Sequence, residues 1–318
     1  MGKKDLSQID YFGNKERFAD LFNGVIFDGK EIIKSETLEE ADARGIYREN
    51  EEKTVNVISD KVYKWKGQYF SILILENQSY VDYRMIFRVM LEETLSYLEQ
   101  QKRAYGRWKK KGYKFSKDEY LSRMRKEEKY QPVITLVLYL GKEKSWDGAK
   151  CLYDMLELDD ELKAYINNYK LNIYDYHEEK DFEKFKTENK LVFELLSQGK
   201  NKEGMEKVIK ESKNQGLVDK ETVQVICEML DIKLDYEKIK IKTTEGREKY
   251  DMCQAWEEQK ECGRIEGKKE TRKEDLVALV NILSTLLPDF ESVYEKIKSE
   301  KNYEDITREE VINCYYVN

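Results

Sequence analysis

The sequence has one histidine, two prolines and no run of about 18 apolar residues, and each scarcity removes a class of function. With His177 alone, a nuclease built on paired histidines is excluded, and no serine stands in a Gly-x-Ser-x-Gly nucleophile turn. His177 itself reads as a surface residue at a strand end. Prolines at 132 and 288 only leave room for long, uninterrupted helices. Without a long apolar run, and with no apolar stretch after Met1-Gly2-Lys3-Lys4-Asp5-Leu6-Ser7, neither a membrane span nor a secretory leader is expected. The five cysteines, at 151, 227, 253, 262 and 314, form no Cys-x-x-Cys pair and read as reduced thiols of a cytoplasmic protein. No zinc-ligand cluster or dinucleotide fingerprint occurs. The glycines at 263 and 267 are one residue too close for a phosphate-binding loop, and Lys269 stands where that loop needs a hydroxyl.

What the sequence does have is Phe70-Ser71-Ile72-Leu73-Ile74-Leu75 running straight into Glu76-Asn77-Gln78. An unbroken apolar run of this kind is a central strand covered on both faces. A carboxylate at its end is costly unless something compensates the charge, and a divalent metal would. Upstream, residues 54 to 64 carry strand-type side chains, and Lys66-Gly67-Gln68 supplies a turn, so Asp60 and Glu76 fall on one hairpin. Glu76 and Gln78, two apart, project to one side of a strand. Two carboxylates and an amide are oxygen ligands suited to magnesium. A symmetric turn at Lys66-Gly67 pairs Asp60 with Leu73 or Ile74, roughly 7 to 10 Å short of Glu76, unless a bulge closes the gap.

Several segments in order resemble one family. These are Arg17-Phe18-Ala19-Asp20-Leu21-Phe22-Asn23-Gly24, Ser59-Asp60, the strand ending Glu76-Asn77-Gln78-Ser79, and Met85-Ile86-Phe87-Arg88. Gln131-Pro132-Val133-Ile134-Thr135-Leu136-Val137-Leu138-Tyr139-Leu140-Gly141 and Trp146-Asp147-Gly148 follow. The series resembles the recombination-promoting nuclease and putative transposase family of bacteria, in a clostridial subgroup, within the PD-(D/E)XK nuclease superfamily. That resemblance implies a restriction-endonuclease-like α/β core, a central mixed sheet flanked by helices, and a magnesium-dependent DNA endonuclease linked to recombination or mobile elements, with manganese able to substitute. It makes Asp60 and Glu76 the metal-binding acids. Gln78 stands where the superfamily more often has lysine, and Asp20 or Glu16 on the first helix is the additional acid. An amide orients water or phosphate but does not neutralise developing charge as an ammonium would. The alternative is a catalytically degenerate DNA-binding or assembly protein that keeps the fold.

A net charge of −7 hides an uneven distribution. Residues 100 to 130 carry twelve Lys or Arg against four acids, a local +8 against −15 elsewhere. Lys102, Arg103, Arg107, Lys109, Lys110, Lys111 and Lys114 are the candidate phosphate contacts, with Tyr105, Trp108, Tyr113 and Phe115 interleaved as candidate stacking rings. The competing reading is a solvated face with the rings tucked inward.

Helices are expected over 14–27, 81–103 and 159–169, and strands over 54–64, 69–78, 132–140 and 171–176, which makes an α/β core. After about residue 182 the apolar spacing turns helical, with breaks at 199–204 and 213–216. The expected division is therefore 1–182, the nuclease-like domain, and 183–318, a helical C-terminal region whose helices are candidates for homo-oligomer contacts. Residues 251 to 287 read as a charged half followed by an apolar stripe, Leu276 to Leu287.

Overall fold

In the computed structural model the described residues are 3–41, 44–50, 53–58, 61–66, 68–75, 81–199, 201–212, 216–242 and 248–315; for 3–6, 44–50, 53–58, 61, 68–75, 262 and 266 only the backbone is described. The chain divides into two compact units, Met1–Cys253 and Gln254–Asn318, so residues 183 to 253 lie in the first.

Helices α1 (Lys3–Phe12) and α2 (Lys15–Val25) open the first unit. The side chain of Asn14 caps α2, accepting from the backbone N–H groups of Glu16 (2.9 Å) and Arg17 (3.4 Å). Phe18, Leu21 and Phe22 recur at helical spacing on α2 and are fully buried.

Strand β1 (Leu38–Glu40) is followed by β2 (Arg44–Asn50), β3 (Lys53–Ile58), β4 (Lys61–Trp65) and β5 (Gln68–Leu75). The run 54–64, expected as one strand, is thus two strands in different sheets. Strand β3 pairs with β2 in a two-stranded ribbon, and β4 enters the main sheet. The sequence reason is Ser59-Asp60, residue types that favour turns over strands.

The main sheet has the order β1-β4-β5-β6-β7, where β6 is Val133–Tyr139 and β7 is Asn172–Asp175. Strand β5 is its middle strand, antiparallel to β4 and parallel to β6. A parallel neighbour requires a crossover, supplied by the 26-residue helix α3 (Met85–Lys110). The β4–β5 ladder is symmetric about positions 66 and 67, running without a shift from Trp65 opposite Gln68 to Lys61 opposite Ile72. Lys66 takes a left-handed φ of 46°, as a two-residue hairpin turn demands.

Both faces of the sheet are covered, which is why β6 is apolar almost throughout. On one face Val137 and Tyr139 pack with Met85, Ile86 and Val89 of α3 and with Trp146. On the other face Tyr63 of β4 meets Phe18 of α2 (ring centroids 4.5 Å apart). There too Tyr174 of β7 meets Phe193 (4.7 Å) of the helix that follows residue 188.

Short helix α4 (Lys117–Ser122) follows α3, and α5 (Asp160–Lys163) precedes β7. The latter is shorter than the expected helix over 159–169. The Tyr153 hydroxyl lies 2.9 and 2.6 Å from the carbonyls of Lys163 and Ile166, and Asn168 Oδ1 accepts from Tyr153 N (3.1 Å), so side chains take over the bonds a longer helix would make.

Helices α6 (Asn189–Ser197), α7 (Lys202–Glu211) and α8 (Lys220–Met229) complete the first unit, with the expected break between α6 and α7. This region also contains a three-stranded antiparallel sheet, β8 (Leu217–Val218), β10 (Glu248–Asp251) and β9 (Lys240–Lys242) in that order, which was not expected. Strands of two to four residues are too short for alternation to register.

Helix α9 (Met252–Leu286) is continuous over 35 residues. In the second unit Leu276 and Val280 of α9 pack with Val293 and Ile297 of α10 (Phe290–Lys298), with Tyr303 and Ile306, and with Val311 and Cys314 of α11 (Arg308–Tyr315).

Candidate functional site

The sheet brings the C-terminal ends of three parallel strands to one edge. Leu75 ends β5 opposite Tyr139 of β6, and Tyr139 lies opposite Asp175 of β7. Glu76 and Gln78, which follow Leu75 in sequence, and Asp60, which precedes β4, lie outside the described residues.

Asp175 is a buried carboxylate that sequence reasoning passed over. Its Oδ2 accepts from Trp146 N (2.7 Å), and its Oδ1 accepts from His177 N (3.0 Å) and sits 2.7 Å from His177 Nδ1. His177 is at the strand end, as expected, but half-buried, with its ring stacked on Tyr176 at 4.0 Å. The i,i+2 spacing of Asp175 and His177 was the available signal, because such residues share a side of an extended chain. Burial pushes the phenol of Tyr139 up, and the Asp175 charge adds to that. Gly141 and Gly148 belong here as well. A Cβ on Gly141 would strike the Tyr139 hydroxyl, and one on Gly148 would lie 2.9 Å from the Trp146 ring.

Asp20 and Glu16 have different surroundings. Glu16 is exposed in the first turn of α2. Asp20 is buried and takes four donors from the start of α6. Lys186 N donates to Oδ1 (2.7 Å); Thr187 N (3.2 Å), Thr187 Oγ1 (2.6 Å) and Asn189 Nδ2 (3.0 Å) donate to Oδ2. That is about as many bonds as a carboxylate accepts. Nearby, Arg17 is buried with its guanidinium 4.3 Å from the centre of the Tyr11 ring and paired with Asp219. Among the described residues, no group of three His, Cys, Asp or Glu side chains is arranged to hold a metal.

The basic segment occupies the last turns of α3, α4 and the loops around them. Lys102, Arg103, Arg107, Lys109, Lys110, Lys111 and Lys114 are all exposed. Arg103 pairs with Glu99 (2.9 Å) and Arg107 with Glu128 (3.2 Å). Lys102, Lys109, Lys110 and Lys114 make no ion pair among the described residues. The four rings, in contrast, are half-buried and pack on one another, as the competing reading of a solvated face with inward rings expects. Tyr105 lies 4.9 Å from Phe115, Tyr113 5.0 Å from Phe115 and 5.6 Å from Trp108. Arg125 covers Trp108 at 4.1 Å and Tyr113 at 4.6 Å. The indole N–H of Trp108 donates to Glu128 (2.8 Å). Around this folded knot Lys102, Lys109, Lys110 and Lys114 are exposed to solvent, while the Lys111 ammonium lies 5.2 Å from the centre of the Trp108 ring. A capping box between Ser116 and Glu119 starts α4, and the Ser116 N–H holds the Glu119 carboxyl below the usual range.

No helix among the described residues is long and apolar enough to cross a membrane. No curated protein and no solved structure matches the chain. A family model described as putative transposase, YhgA-like, matches residues 51–224, which takes in β3, four of the five strands of the main sheet (β4 to β7), helices α6 and α7 and the first half of α8. With more than half of its length matched, the chain belongs to the YhgA-like putative transposase family.

Proposed function

We propose that this protein is a metal-dependent DNA endonuclease of the PD-(D/E)XK type, serving recombination or mobile elements in the cytoplasm. The observation that carries the reading is the position of β5, the middle strand of a mixed sheet covered on both faces, whose sequence runs directly into Glu76-Asn77-Gln78. Family membership supports a mobile-element role.

Asp60 and Glu76 would hold a magnesium ion, and two carboxylates with an amide form an all-oxygen donor set that fits it; manganese would substitute. Bound there, the metal supplies Lewis-acid polarisation of a phosphate and a lowered pKa for an attacking water. The protein's own part is positioning. The Gln78 amide accepts from the water and fixes its direction, or donates to a phosphate oxygen, without adding charge. The exposed Lys102, Arg103, Arg107, Lys109, Lys110, Lys111 and Lys114 bind the backbone of the DNA through counterion release. Without an ammonium at position 78, cleavage is expected to be slow or to depend on a partner.

The test is cleavage of supercoiled and linear DNA by the full chain with magnesium or manganese. Asp60→Ala and Glu76→Ala should each abolish cleavage with the circular dichroism spectrum unchanged, and Gln78→Ala should slow it with DNA affinity preserved. Equal cleavage by all variants would identify a contaminant. A wild type that binds but never cuts DNA or RNA would establish the second reading, a DNA-binding or assembly protein, which the glutamine at 78 favours.

A further inference from the structure

From Lys260 to Asp275 every described side chain of α9 is exposed. The segment's contacts with the rest of the second unit are at its end, where Arg272 lies 5.5 Å from the centre of the Tyr303 ring and pairs with Asp305. A helix segment that is polar all round is usually stabilised by side-chain pairs or by bridging to another body. Its charges are arranged about one point. Glu257 and Lys273, Glu258 and Arg272, Lys260 and Glu270, and Glu261 and Lys269 lie equally far before and after Ile265, and each pair is opposite in sign. Ile265 itself is 42% exposed, an isolated apolar side chain in a charged segment.

We infer that this stretch pairs with the same stretch of a second copy of the chain, antiparallel, about a two-fold axis passing by Ile265. At about 100° per residue, Glu258, Glu261, Lys268, Lys269 and Arg272 all fall within about 60° of Ile265 on the helix surface. The stripe is acidic before the isoleucine and basic after it. An isologous interface requires a surface that complements itself under two-fold rotation, and this one does so only with the helices antiparallel. Glu261 then meets Lys269 of the second copy, Glu258 meets its Arg272, and the two Ile265 side chains meet at the centre. Parallel pairing would set acid against acid and base against base, which is repulsive. Gly263 and Gly267 lie on the opposite side of the helix, with open space where a Cβ would be. The present partners, Arg264 for Glu261 and Asp305 for Arg272, are exposed pairs of the kind that exchange at little cost.

One apolar pair flanked by solvated ion pairs makes a weak dimer, with a dissociation constant on the order of 100 μM. The inference is independent of the cleavage reading. Sedimentation equilibrium of the full chain up to about 200 μM in about 50 mM salt should show mass rising toward a dimer, and about 500 mM salt should reverse it. Glu258→Lys with Glu261→Lys makes the stripe basic throughout, and Lys268→Glu with Lys269→Glu makes it almost wholly acidic. Each double variant should be monomeric, weakened about a hundredfold, and an equimolar mixture of the two should recover the dimer mass. That recovery also shows that neither variant failed to fold. A wild type that stays monomeric, a double variant that dimerises like wild type, or a mixture that stays monomeric would each overturn the pairing.

Discussion

Among the described residues α3 and α9 are the two long helices, and each has one half in a core and one half in water. In α3 the N-terminal half carries Met85, Ile86, Val89 and Leu95 into the sheet, and the C-terminal half is basic. In α9 the order is reversed: the charged half comes first, and Leu276 and Val280 lie in the core of the second unit. The solvated halves are held differently. The end of α3 is buttressed by a knot of four rings, Arg125 and Glu128, whereas the exposed part of α9 has side-chain ion pairs such as Glu261 with Arg264. A charged helix end can therefore be packed against rings or merely helical, and net charge does not tell the two apart. What distinguishes them is whether apolar surface lies underneath.

The largest effect that would break the comparison is loss of the buttress. Trp108→Ala removes the ring under Arg125 and the donor to Glu128, and should cost about 2 to 3 kcal/mol, less than a fully buried tryptophan because Trp108 is half-buried. Ile265→Ala in α9 should cost at most about 0.5 kcal/mol. Denaturant titration of both variants checks the contrast, and equal losses would refute it. Next comes function at the packed end. Replacing Lys109, Lys110 and Lys111 together by Gln should lower DNA affinity and reduce the slope of log K against log salt by about 2.7, at about 0.9 per phosphate contact. An unchanged slope would return the surface to an ordinary solvated face.

Smaller effects sharpen the comparison. Gly106, Gly263 and Gly267 all sit in helix with no atom within 4 Å of the place an added methyl group would take, so replacement by alanine should stabilise each helix by about 0.5 to 1 kcal/mol. Amide exchange should slow more around 263 and 267 than around 106, where the buttress already limits opening. The smallest effect is a pH dependence at α4. Because the Ser116 N–H holds the folded carboxyl of Glu119 low, the cap is fully effective above the ordinary glutamate pKa of about 4.3 and is lost as pH falls through the lower folded value. Amide protection over 116–126 should thus drop only in that acid range, and Glu119→Gln should remove the drop.

Much of the main sheet was legible because its strands are continuous apolar runs. Phe70 to Leu75 reads as a central strand and is the middle one, Lys66-Gly67 reads as the turn and the ladder is symmetric about it, and Val133 to Tyr139 is buried as its composition implies. The strands β8 to β10 were not legible, since strands of two to four residues carry no period, whereas the split of 54–64 into two sheets is signalled by Ser59-Asp60, which a reading of one strand passes over. The role of Asp20 was hidden for another reason. Its donors lie at 186 to 189, and nothing local in Arg17-Phe18-Ala19-Asp20 announces partners 166 residues away. The aromatic knot was the hardest, because rings interleaved with lysines look the same in sequence whether they face a base or each other.

The bonds to Asp20 also set a clock on synthesis. The carboxylate leaves the ribosome on a helix whose apolar side is fully buried in the finished protein, while its four donors follow some 166 residues later. At about 5 to 20 residues per second that interval is roughly 8 to 33 s. Over that time Phe18 can meet Tyr63 of β4, but the Asp20 carboxylate stays in water, so this corner of the first unit closes only after residues 186 to 189 have been made.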